Sequence, residues 1–285
     1  MILVTGASGK TGLAIIKALT LKNVKCRALI HKPEYEGLML SAGADEIIVG
    51  DFLKPKDLCK ALKGIESIYH ICPNMHPQEF TIANKVIKAC VKNGCERFVY
   101  HSVIHPQVRK MSHHWQKLRV EEFLFESSLK YTIFQPTAYM QNITGYWKQI
   151  QSGKYAIPYP VETKISLLDL DDLAEAAVRV MTEPGHEYAV YELVGTEHPI
   201  SQIDIALALS KQLGYKVNAE AIPKEILEKH ARSAGMAQYA IETLLAMFDY
   251  YKNYGLYGNR NTLASLLNRK PTDISEFLNR TIKSL

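Results

Sequence analysis

Short apolar runs alternate with amphipathic stretches through the first half of the chain. The apolar runs predict buried strands at Ile2–Thr5, Val24–Ile30, Glu46–Val49, Ser67–Cys72, Phe98–Ser102 and Tyr131–Gln135. The stretches between them have helical periodicity and predict helices at Lys10–Leu21, Glu34–Ala42, Pro55–Leu62, Pro77–Lys92 and Ser112–Ser127. Because this alternation is typical of βαβ units, it predicts a parallel sheet covered by helices on both faces. Right-handed crossovers then give a doubly wound α/β fold, with a ligand crevice at the C-terminal ends of the strands.

The alternation breaks down after about residue 140. Gly153–Pro160 is rich in turn residues, and Asp171-Asp172 is predicted to cap a helix that runs through the sequence LAEAAVRVM. Residues 188–194 predict one more strand, and Ser201 is predicted to cap a further helix. The C-terminal half is therefore predicted to be mostly helical.

The segment VTGASGKTGLA, residues 4–14, follows the first strand and is compatible with two kinds of nucleotide site. Its Gly-Lys-Thr is typical of a P-loop, but that motif needs another glycine five residues before Gly9, where the chain has Val4. In the alternative, a dinucleotide loop, Gly6 allows a tight turn, Gly9 lets the backbone approach a pyrophosphate, and Gly12 lets the helix pack on the strand. We therefore predict a Rossmann-type dinucleotide loop that binds its ligand through Gly6, Ala7, Ser8, Gly9, Lys10, Thr11 and Gly12.

The predicted dinucleotide loop, together with the change of pattern after residue 140, suggests two domains in this chain of 285 residues. We predict an NAD(P)-binding Rossmann domain in residues 1–152, to which the strand near 188–194 returns. Residues 153–285 are predicted to form a smaller, mostly helical substrate lobe that closes over the crevice.

The end of the second predicted strand bears on the choice of cofactor. An NAD site usually has an acidic side chain there, which binds the ribose 2′-hydroxyl. This chain has His31 and Lys32, whose positive charge suits the 2′-phosphate of NADP(H). We therefore predict NADP(H) in preference to NAD(H). The alternative is that both side chains are solvated, and Glu34 lies close enough to offset their charge.

Residues after the other strands are predicted to line the same cofactor. They are Asp51, Phe52, Cys72, Pro73, Asn74, Pro136, Thr137 and Ala138. By strand order, the first two flank the adenine, the next three line the middle, and the last three pass the nicotinamide edge.

Composition and charge narrow the function classes. Charged residues make up 22% and hydrophobic residues 47% of the chain, as in an ordinary globular protein. The net charge is only +5, and the basic residues are scattered, so no nucleic-acid partner is predicted. No apolar run approaches the ~18 residues of a membrane span, so no membrane partner is predicted. The five cysteines lack CxxC spacing, which predicts reduced thiols in a cytoplasmic protein and no metal site.

Several blocks of the sequence carry a family resemblance that covers nearly the whole chain. They are TGASGKTG, Gly50-Asp51, HHWQKLRVEEFL with YTIFQPTAYMQN, SLLDLDDLAEAA, and the tail YYKNYGLYGNRNTLASLLNRKPTDISEFL. On these residues the chain resembles the NmrA-like, atypical branch of the short-chain dehydrogenase/reductase superfamily. The resemblance implies a Rossmann domain, a small substrate lobe and NADP(H). Members of this branch include quinone, azo-dye and other small-molecule reductases, whereas others bind the cofactor only and report redox state to a protein partner.

The catalytic motif of the wider superfamily is incomplete here. Typical members use Tyr-x-x-x-Lys, in which the lysine holds the ribose and lowers the pKa of the tyrosine. No lysine of this chain has a tyrosine four residues before it, and the best match is His113-x-x-x-Lys117. The resemblance implies that Lys117 contacts the cofactor, and the alternative is an ion pair with Glu121 on a solvated helix face. His113 is a candidate proton donor near neutral pH, and the alternative is an exposed histidine at a helix start.

Three further features remain open. Tyr139 is a candidate proton source after the sixth strand, or else a wall of the pocket. Ser102 matches the position of a substrate-polarising serine in many relatives, but we expect it to close the floor of the cofactor site. The aromatic stretch at residues 247–259 would stack on a flat substrate, or else pack within the second lobe.

These observations favour an NADPH-dependent reductase that transfers hydride to a small conjugated or aromatic acceptor such as a quinone. The absent tyrosine is tolerable in that reaction, because a quinone accepts hydride readily and positioning matters more than a strong acid. The alternative is a non-catalytic NADP(H) sensor that regulates a protein partner. A nucleotide-sugar epimerase would share the fold but needs the missing tyrosine.

Overall fold

The structure, a computed structural model, describes residues 1–284, and its strands and helices follow the predicted alternation. The strands are β1 (Ile2–Val4), β2 (Cys26–Ile30), β3 (Glu46–Val49), β4 (Ser67–His70), β5 (Arg97–His101), β6 (Lys130–Pro136), β7 (Ala138–Tyr139), β8 (Lys154–Ile157), β9 (Leu167–Leu168), β10 (Ala189–Leu193) and β11 (Asn218–Ala221). The helices are α1 (Lys10–Leu21), α2 (Glu36–Ala42), α3 (Pro55–Leu62), α4 (Glu79–Lys92), α5 (Ser112–Phe125), α6 (Trp147–Gln151), α7 (Leu170–Thr182), α8 (Gln202–Leu213), α9 (Lys224–Ser233), α10 (Gln238–Tyr254), α11 (Asn261–Leu267) and α12 (Ile274–Ser284).

The main sheet has seven strands in the order β10-β6-β5-β4-β1-β2-β3. Strands β1 to β6 pair in parallel, and the order runs outward from β1 in both directions. The prediction of a doubly wound α/β fold is therefore confirmed. The place where the order reverses, between β1 and β4, is where such sheets bind ligands beyond their C-terminal ends.

Burial explains why the central strands are apolar along their whole length. Every residue of β1, β2 and β4 is buried, whereas the edge strand β3 is half exposed. Helices α3, α4 and α5 pack one core cluster against the sheet, in which Phe98 and Ile133 from the strands are fully buried. Strands covered on both faces lose the alternation of polar and apolar residues.

Two helix starts in the C-terminal half are fixed by side chains. Ser201 caps α8 with the help of Asp204, each side chain accepting a backbone N–H from the other residue, as in a capping box. Helix α7 starts at Leu170, earlier than predicted, and its cap is Asp169, whose Oδ1 accepts the N–H of Asp171 at 3.1 Å. The prediction that Asp171-Asp172 caps this helix is therefore wrong, because both residues already lie in its first turn.

The chain forms two compact units that are interleaved along the sequence. The first contains 1–108, 113–136 and 173–191, and the second contains 109–112, 137–172 and 192–285. The sequence predicted one boundary at residue 152, with the strand near 188–194 returning to the first domain, and β10 does lie in the main sheet. The chain crosses back because α7 and the start of β10 belong to the first unit.

The second unit is mostly helical but has two small parallel sheets, β7 with β9 and β8 with β11. Strand β8 lies within the stretch 153–160, which is rich in turn residues and for which no strand was predicted. Within residues 1–284, no helix combines the length and the hydrophobicity that crossing a bilayer requires.

Candidate functional site

The loop between β1 and α1 needs glycine at two of its three positions for reasons of packing. Gly6 has a φ of +58°, and a Cβ there would lie 2.9 Å from the carbonyl oxygen of Ile71. A Cβ on Gly12 would lie 2.5 Å from the carbonyl oxygen of Gly6. Both distances are too short for any side chain, so these two glycines bring the loop close to β4 and to the helix start.

The third glycine is less crowded than the other two. Gly9 is exposed, and a Cβ there would approach only the carbonyl oxygen of Gly6, at 3.3 Å. Gly9 is also the N-cap of α1, and it supplies no side-chain cap to the helix. The first turn of α1 has no acidic residue. The N–H groups of this turn, together with the positive end of the helix dipole, therefore form a cradle for an anionic group.

The end of β2 is a basic surface loop. His31 and Lys32 are exposed, and the Nζ of Lys32 lies 3.5 Å from Oε1 of Glu34. Both side chains of this pair are more than half exposed, so the pair is weak and leaves the lysine able to reorient.

The loop after β3 is shaped by carboxylates. The Oδ1 of Asp51 accepts the N–H of Leu53 at 2.8 Å, and the N–H of Asp51 donates to Asp57 at 3.0 Å. Phe52 packs its ring edge-on against His70, with a centroid distance of 5.9 Å. Phe52 therefore contributes to the core, and its availability to an adenine ring stays a prediction.

The loop after β4 combines a buried thiol with exposed polar groups. Cys72 is buried, and its Sγ lies 3.7 Å from the carbonyl oxygen of Glu79. Burial raises the pKa of Cys72, so this thiol stays protonated. Pro73 is half-buried and Asn74 is exposed, which leaves both accessible from solvent.

Lys117 forms a buried ion pair that the sequence did not predict. Its Nζ donates to Oε1 of Glu79 at 2.6 Å and to the carbonyl oxygen of His101 at 3.1 Å. The hydroxyl of Tyr100 donates to the same Oε1 at 2.9 Å. The carboxylate of Glu79 is 2% exposed and the side chain of Lys117 is 14% exposed.

The predicted alternative for Lys117 is wrong, because Glu121 has other partners. Glu121 is buried, and its carboxylate accepts hydrogen bonds from the hydroxyl of Ser102 and from the side-chain amide of Gln135. Burial is the largest influence on Glu121 and raises its pKa. Ser102 is itself buried, and its hydroxyl is engaged within the first unit.

His113 is neither exposed nor protonated at neutral pH. It is buried beside His114, with a centroid distance of 4.4 Å and perpendicular rings. Burial, followed by the nearby charges of His114 and Lys117, lowers the pKa of His113 to about 3. Burial likewise lowers the pKa of His114 to about 4. The alternative of an exposed histidine at a helix start is therefore wrong, because the side chain is buried, and the role of His113 as a proton donor stays a prediction that its lowered pKa disfavours.

The remaining predicted site residues follow β6. Pro136 ends that strand in the first unit, whereas Thr137, Ala138 and Tyr139 belong to the second. The hydroxyl of Thr137 donates to the carbonyl oxygen of Ser166 at 2.8 Å. Ala138 and Tyr139 form the short strand β7 and are half-buried. Their contact with a nicotinamide stays a prediction.

The aromatic stretch at 247–259 divides between packing and exposure. Tyr251 is buried and, with Phe248, packs on Tyr159. Tyr254 and Tyr257 are about half exposed. The buried members support the packing interpretation, and the exposed ones leave aromatic surface for a ligand.

Two residues bonded to each other in this cluster, Glu79 and Tyr100, were not identified from the sequence pattern. Glu79 reads as an ordinary acidic residue in the first turn of a helix, where the helix dipole favours it. Tyr100 reads as one apolar position of a buried strand. A phenol inside a fully buried strand needs a polar partner, and that requirement was the available signal.

Three features together define a Rossmann-type protein. They are the strand order, the cradle of the glycine loop, and the polar cluster of Glu79, Tyr100 and Lys117 at the ends of β4 and β5. The NmrA-like family matches residues 1–278, and the chain belongs to this family. The chain is 26% identical over 280 residues to an NAD(P)H azoreductase from Xenophilus azovorans. The aligned residues cover 97% of this chain and 96% of that protein.

Solved structures agree on the fold. The NADPH complex of a quinone oxidoreductase, QOR2, from Escherichia coli superposes with a TM-score of 0.84 at 24% identity, over 99% of this chain and 100% of that one. The NADP complex of NmrA, a negative transcriptional regulator, superposes with a TM-score of 0.81 at 15% identity, over 99% and 95%.

Proposed function

We propose that this protein is an NADPH-dependent reductase that transfers hydride to a small conjugated or aromatic acceptor such as a quinone. The observation that carries the proposal is the open cradle at Gly9, beside a helix start with no side-chain cap. A pyrophosphate fits this cradle, because it supplies the anion that the free N–H groups lack. Full-length similarity to the azoreductase supports the reductase class.

The residues of the first unit would hold the cofactor as follows. The loop from Gly6 to Gly12 binds the pyrophosphate, and Lys32 with His31 binds the 2′-phosphate. Lys117 binds the nicotinamide ribose through an N–H of its ammonium. These roles rest on the position of each group after its strand, on the exposure of the basic loop and on the family to which the chain belongs.

Hydride transfer to a quinone requires little acid catalysis from the protein. NADPH supplies a hydride, and the reduced acceptor takes up a proton. His113 is disfavoured as the donor, because burial lowers its pKa to about 3 and leaves the imidazole neutral near pH 7. Tyr139 or water therefore provides the proton, and the main contribution of the protein is to fix the geometry of the reactants.

A second candidate is a non-catalytic NADP(H) sensor with a protein partner. The observation that favours it is the neutral, buried His113 at the position where the superfamily motif has its tyrosine. The fold of the NmrA regulator is compatible with it.

The two candidates are separated by measuring NADPH oxidation by the purified protein across quinones, enones and azo dyes. The reductase predicts turnover with at least one acceptor, and Lys117→Ala should lower it. No oxidation by protein that binds NADPH, together with NADPH-dependent capture of a protein partner, would support the sensor instead. Protein that binds no NADPH would contradict both.

A further inference from the structure

Glu79 is a buried carboxylate with two donors on one oxygen. Its Oε1 accepts from the Nζ of Lys117 at 2.6 Å and from the hydroxyl of Tyr100 at 2.9 Å. The side chain is 2% exposed, so water contributes almost nothing to its solvation. A charge is retained at such a position only when it is paired and hydrogen-bonded, as it is here.

The ammonium of Lys117 has three N–H groups, and the first unit uses two of them. One donates to Glu79 and one to the carbonyl oxygen of His101, at 3.1 Å. These two bonds fix the direction of the third N–H. The side chain is 14% exposed, and its Nζ also lies 5.4 Å from the centre of the Tyr100 ring. The ammonium is therefore held almost out of solvent, and among the described residues its third N–H has no hydrogen-bond acceptor, which leaves it for a ligand.

The surroundings of this ammonium explain why it needs a carboxylate. His70 and His101 lie close enough to sense its charge, and burial together with that charge lowers the pKa of both imidazoles to about 3. Neutral histidines do not compensate a cation. A buried lysine without an opposite charge loses its proton readily, since burial disfavours the charged form. Glu79 is the carboxylate in direct contact with this ammonium, at 2.6 Å, whereas Glu121, which also senses its charge, is bonded to Ser102 and Gln135.

We infer that Glu79 is a positioning residue, which holds the ammonium of Lys117 in the direction in which its third N–H binds the ribose hydroxyls of the cofactor. The inference rests on the proposed function, because it assigns that ligand to Lys117. Glu79 touches neither cofactor nor acceptor, and it acts only through Lys117.

The experiment is a double-mutant cycle read by NADPH binding. Glu79→Gln keeps the size of the side chain and an acceptor oxygen but removes the charge, and Lys117→Met removes the ammonium but keeps the length. NADPH affinity is measured by fluorescence titration for the wild type, both single variants and the double variant. The kcat and the KM for the acceptor are measured for the wild type and Glu79→Gln.

The expected result is coupling. Glu79→Gln should weaken NADPH binding by about tenfold or more, as for loss of one charge-assisted hydrogen bond. It should lower kcat and leave the KM for the acceptor unchanged. In the Lys117→Met background the same substitution should change NADPH affinity by less than about twofold, because a residue that acts only through Lys117 has nothing left to position.

Stability serves as the internal control. Lys117→Met leaves Glu79 charged, buried and without its cation, so this variant should melt at a lower temperature, and the double variant should recover. Asp172→Asn is the matched control, since it removes another buried carboxylate, bonded to Arg269 at 2.8 Å in the second unit. It should lower the melting temperature and leave NADPH affinity unchanged in the folded protein.

The possible failures are distinguishable. Equal weakening of NADPH binding by Glu79→Gln in both backgrounds would overturn the positioning role alone. So would unchanged affinity in Glu79→Gln while Lys117→Met binds weakly. Wild-type protein that binds no NADPH would overturn the proposed function, whatever Glu79 does.

Discussion

Gly12 lies directly against the carbonyl oxygen of Gly6. A Cβ added to Gly12 would stand 2.5 Å from that oxygen and 2.6 Å from the Cα of Ala7, closer than any real side chain approaches. Gly9, three residues earlier, has only one neighbour for a Cβ, at 3.3 Å. The glycines of one motif therefore have different roles, packing at Gly12 and ligand binding at Gly9. Substitutions at the two positions can distinguish these roles.

Gly9→Val is expected to abolish NADPH binding in a folded protein. The added side chain projects into the cradle where the pyrophosphate is proposed to lie, and its Cβ meets only the carbonyl oxygen of Gly6, at 3.3 Å, which needs a shift of only a few tenths of an ångström. Circular dichroism checks the fold and fluorescence titration checks binding. Retained affinity in a folded variant would mean that the cradle does not bind the cofactor.

Gly12→Val is the matched control and is expected to fail in the opposite way. Its side chain meets backbone atoms of Gly6 and Ala7, which cannot move aside, so the packing of α1 on the loop after β1 is lost. We expect little folded protein, or a free energy of unfolding reduced by several kcal/mol. A stable Gly12→Val protein would contradict the assigned geometry of the loop.

Lys32→Ala is expected to discriminate between the two nicotinamide cofactors. Loss of one charge-assisted contact to the 2′-phosphate should weaken NADPH binding by about 1.5–3 kcal/mol and leave NADH binding nearly unchanged. Stability should not change, because the pair of Lys32 with Glu34 is exposed. Glu34→Gln should hold or improve NADPH affinity. Equal losses for NADPH and NADH in the titrations would rule out this assignment.

Lys117→Ala is expected to lower the turnover number more than it weakens NADPH binding. A nicotinamide displaced by about 1 Å can lose about a hundredfold in rate.

Tyr139→Phe, made alongside Lys117→Ala, tests whether the phenol is the proton source. His113→Ala should leave the pH dependence of kcat between pH 6 and 8 unchanged, because the imidazole is neutral throughout that range. A basic or acidic limb that disappears in this variant would restore His113 as a proton donor.

Acid is expected to destabilise the first unit through four buried histidines. Burial lowers the pKa values of His70, His101 and His113 to about 3 and that of His114 to about 4. The unfolded chain binds these protons near pH 6.5 and the folded chain does not, so stability is complete above that pH and falls as the pH drops toward 4. Each histidine contributes up to about 1.4 kcal/mol per pH unit in that window. Urea unfolding at pH 7.5, 6 and 5 measures the slope, and equal stability at all three would contradict the neutral assignment.

Arg280→Met is expected to destabilise the second unit. The Nη2 of Arg280 lies 2.6 Å from Oδ2 of Asp169, a carboxylate with no exposure, and removal of the cation leaves that charge buried. Because the guanidinium itself is half exposed, we expect a loss at the lower end of the usual range, about 3 kcal/mol. The control is Arg232→Met, whose pair with Glu228 is exposed and should cost less than about 1 kcal/mol. Equal losses of unfolding free energy for Arg280→Met and Arg232→Met in urea would contradict the greater contribution of the buried pair.

The sequence predicted the first half of the fold closely because its strands are apolar along their length. Strand β3 and helices α1 and α3 have the predicted bounds, and the other strands differ by one or two residues at an end. The C-terminal half was harder, since β7, β8, β9 and β11 are two to four residues long and make two-stranded sheets. Such short pairings depend on contacts between distant segments, which periodicity does not record.

The sequence predicted which strands, helices and loops form the site, but it did not predict which charged side chains pair with each other there. The glycine loop could be read because each glycine has a local duty. The partner of Lys117 could not, since Glu79 lies 38 residues away in sequence and Glu121 offers an equally good charge one helical turn away. Hydrogen bonding decides between the two, because Glu121 is already bonded to Ser102 and Gln135.

The interleaved chain has a consequence for synthesis on the ribosome. Strand β6 ends at Pro136, but its outer neighbour β10 begins only at Ala189, and the intervening 137–172 segment belongs to the second unit. At about 5–20 residues per second, the nascent chain exposes the edge of β6 for roughly 3–10 s. An unpaired edge strand of this kind is a site for wrong pairing. Translation speed through this segment, and chaperones that shield the edge, should therefore influence the yield of folded protein.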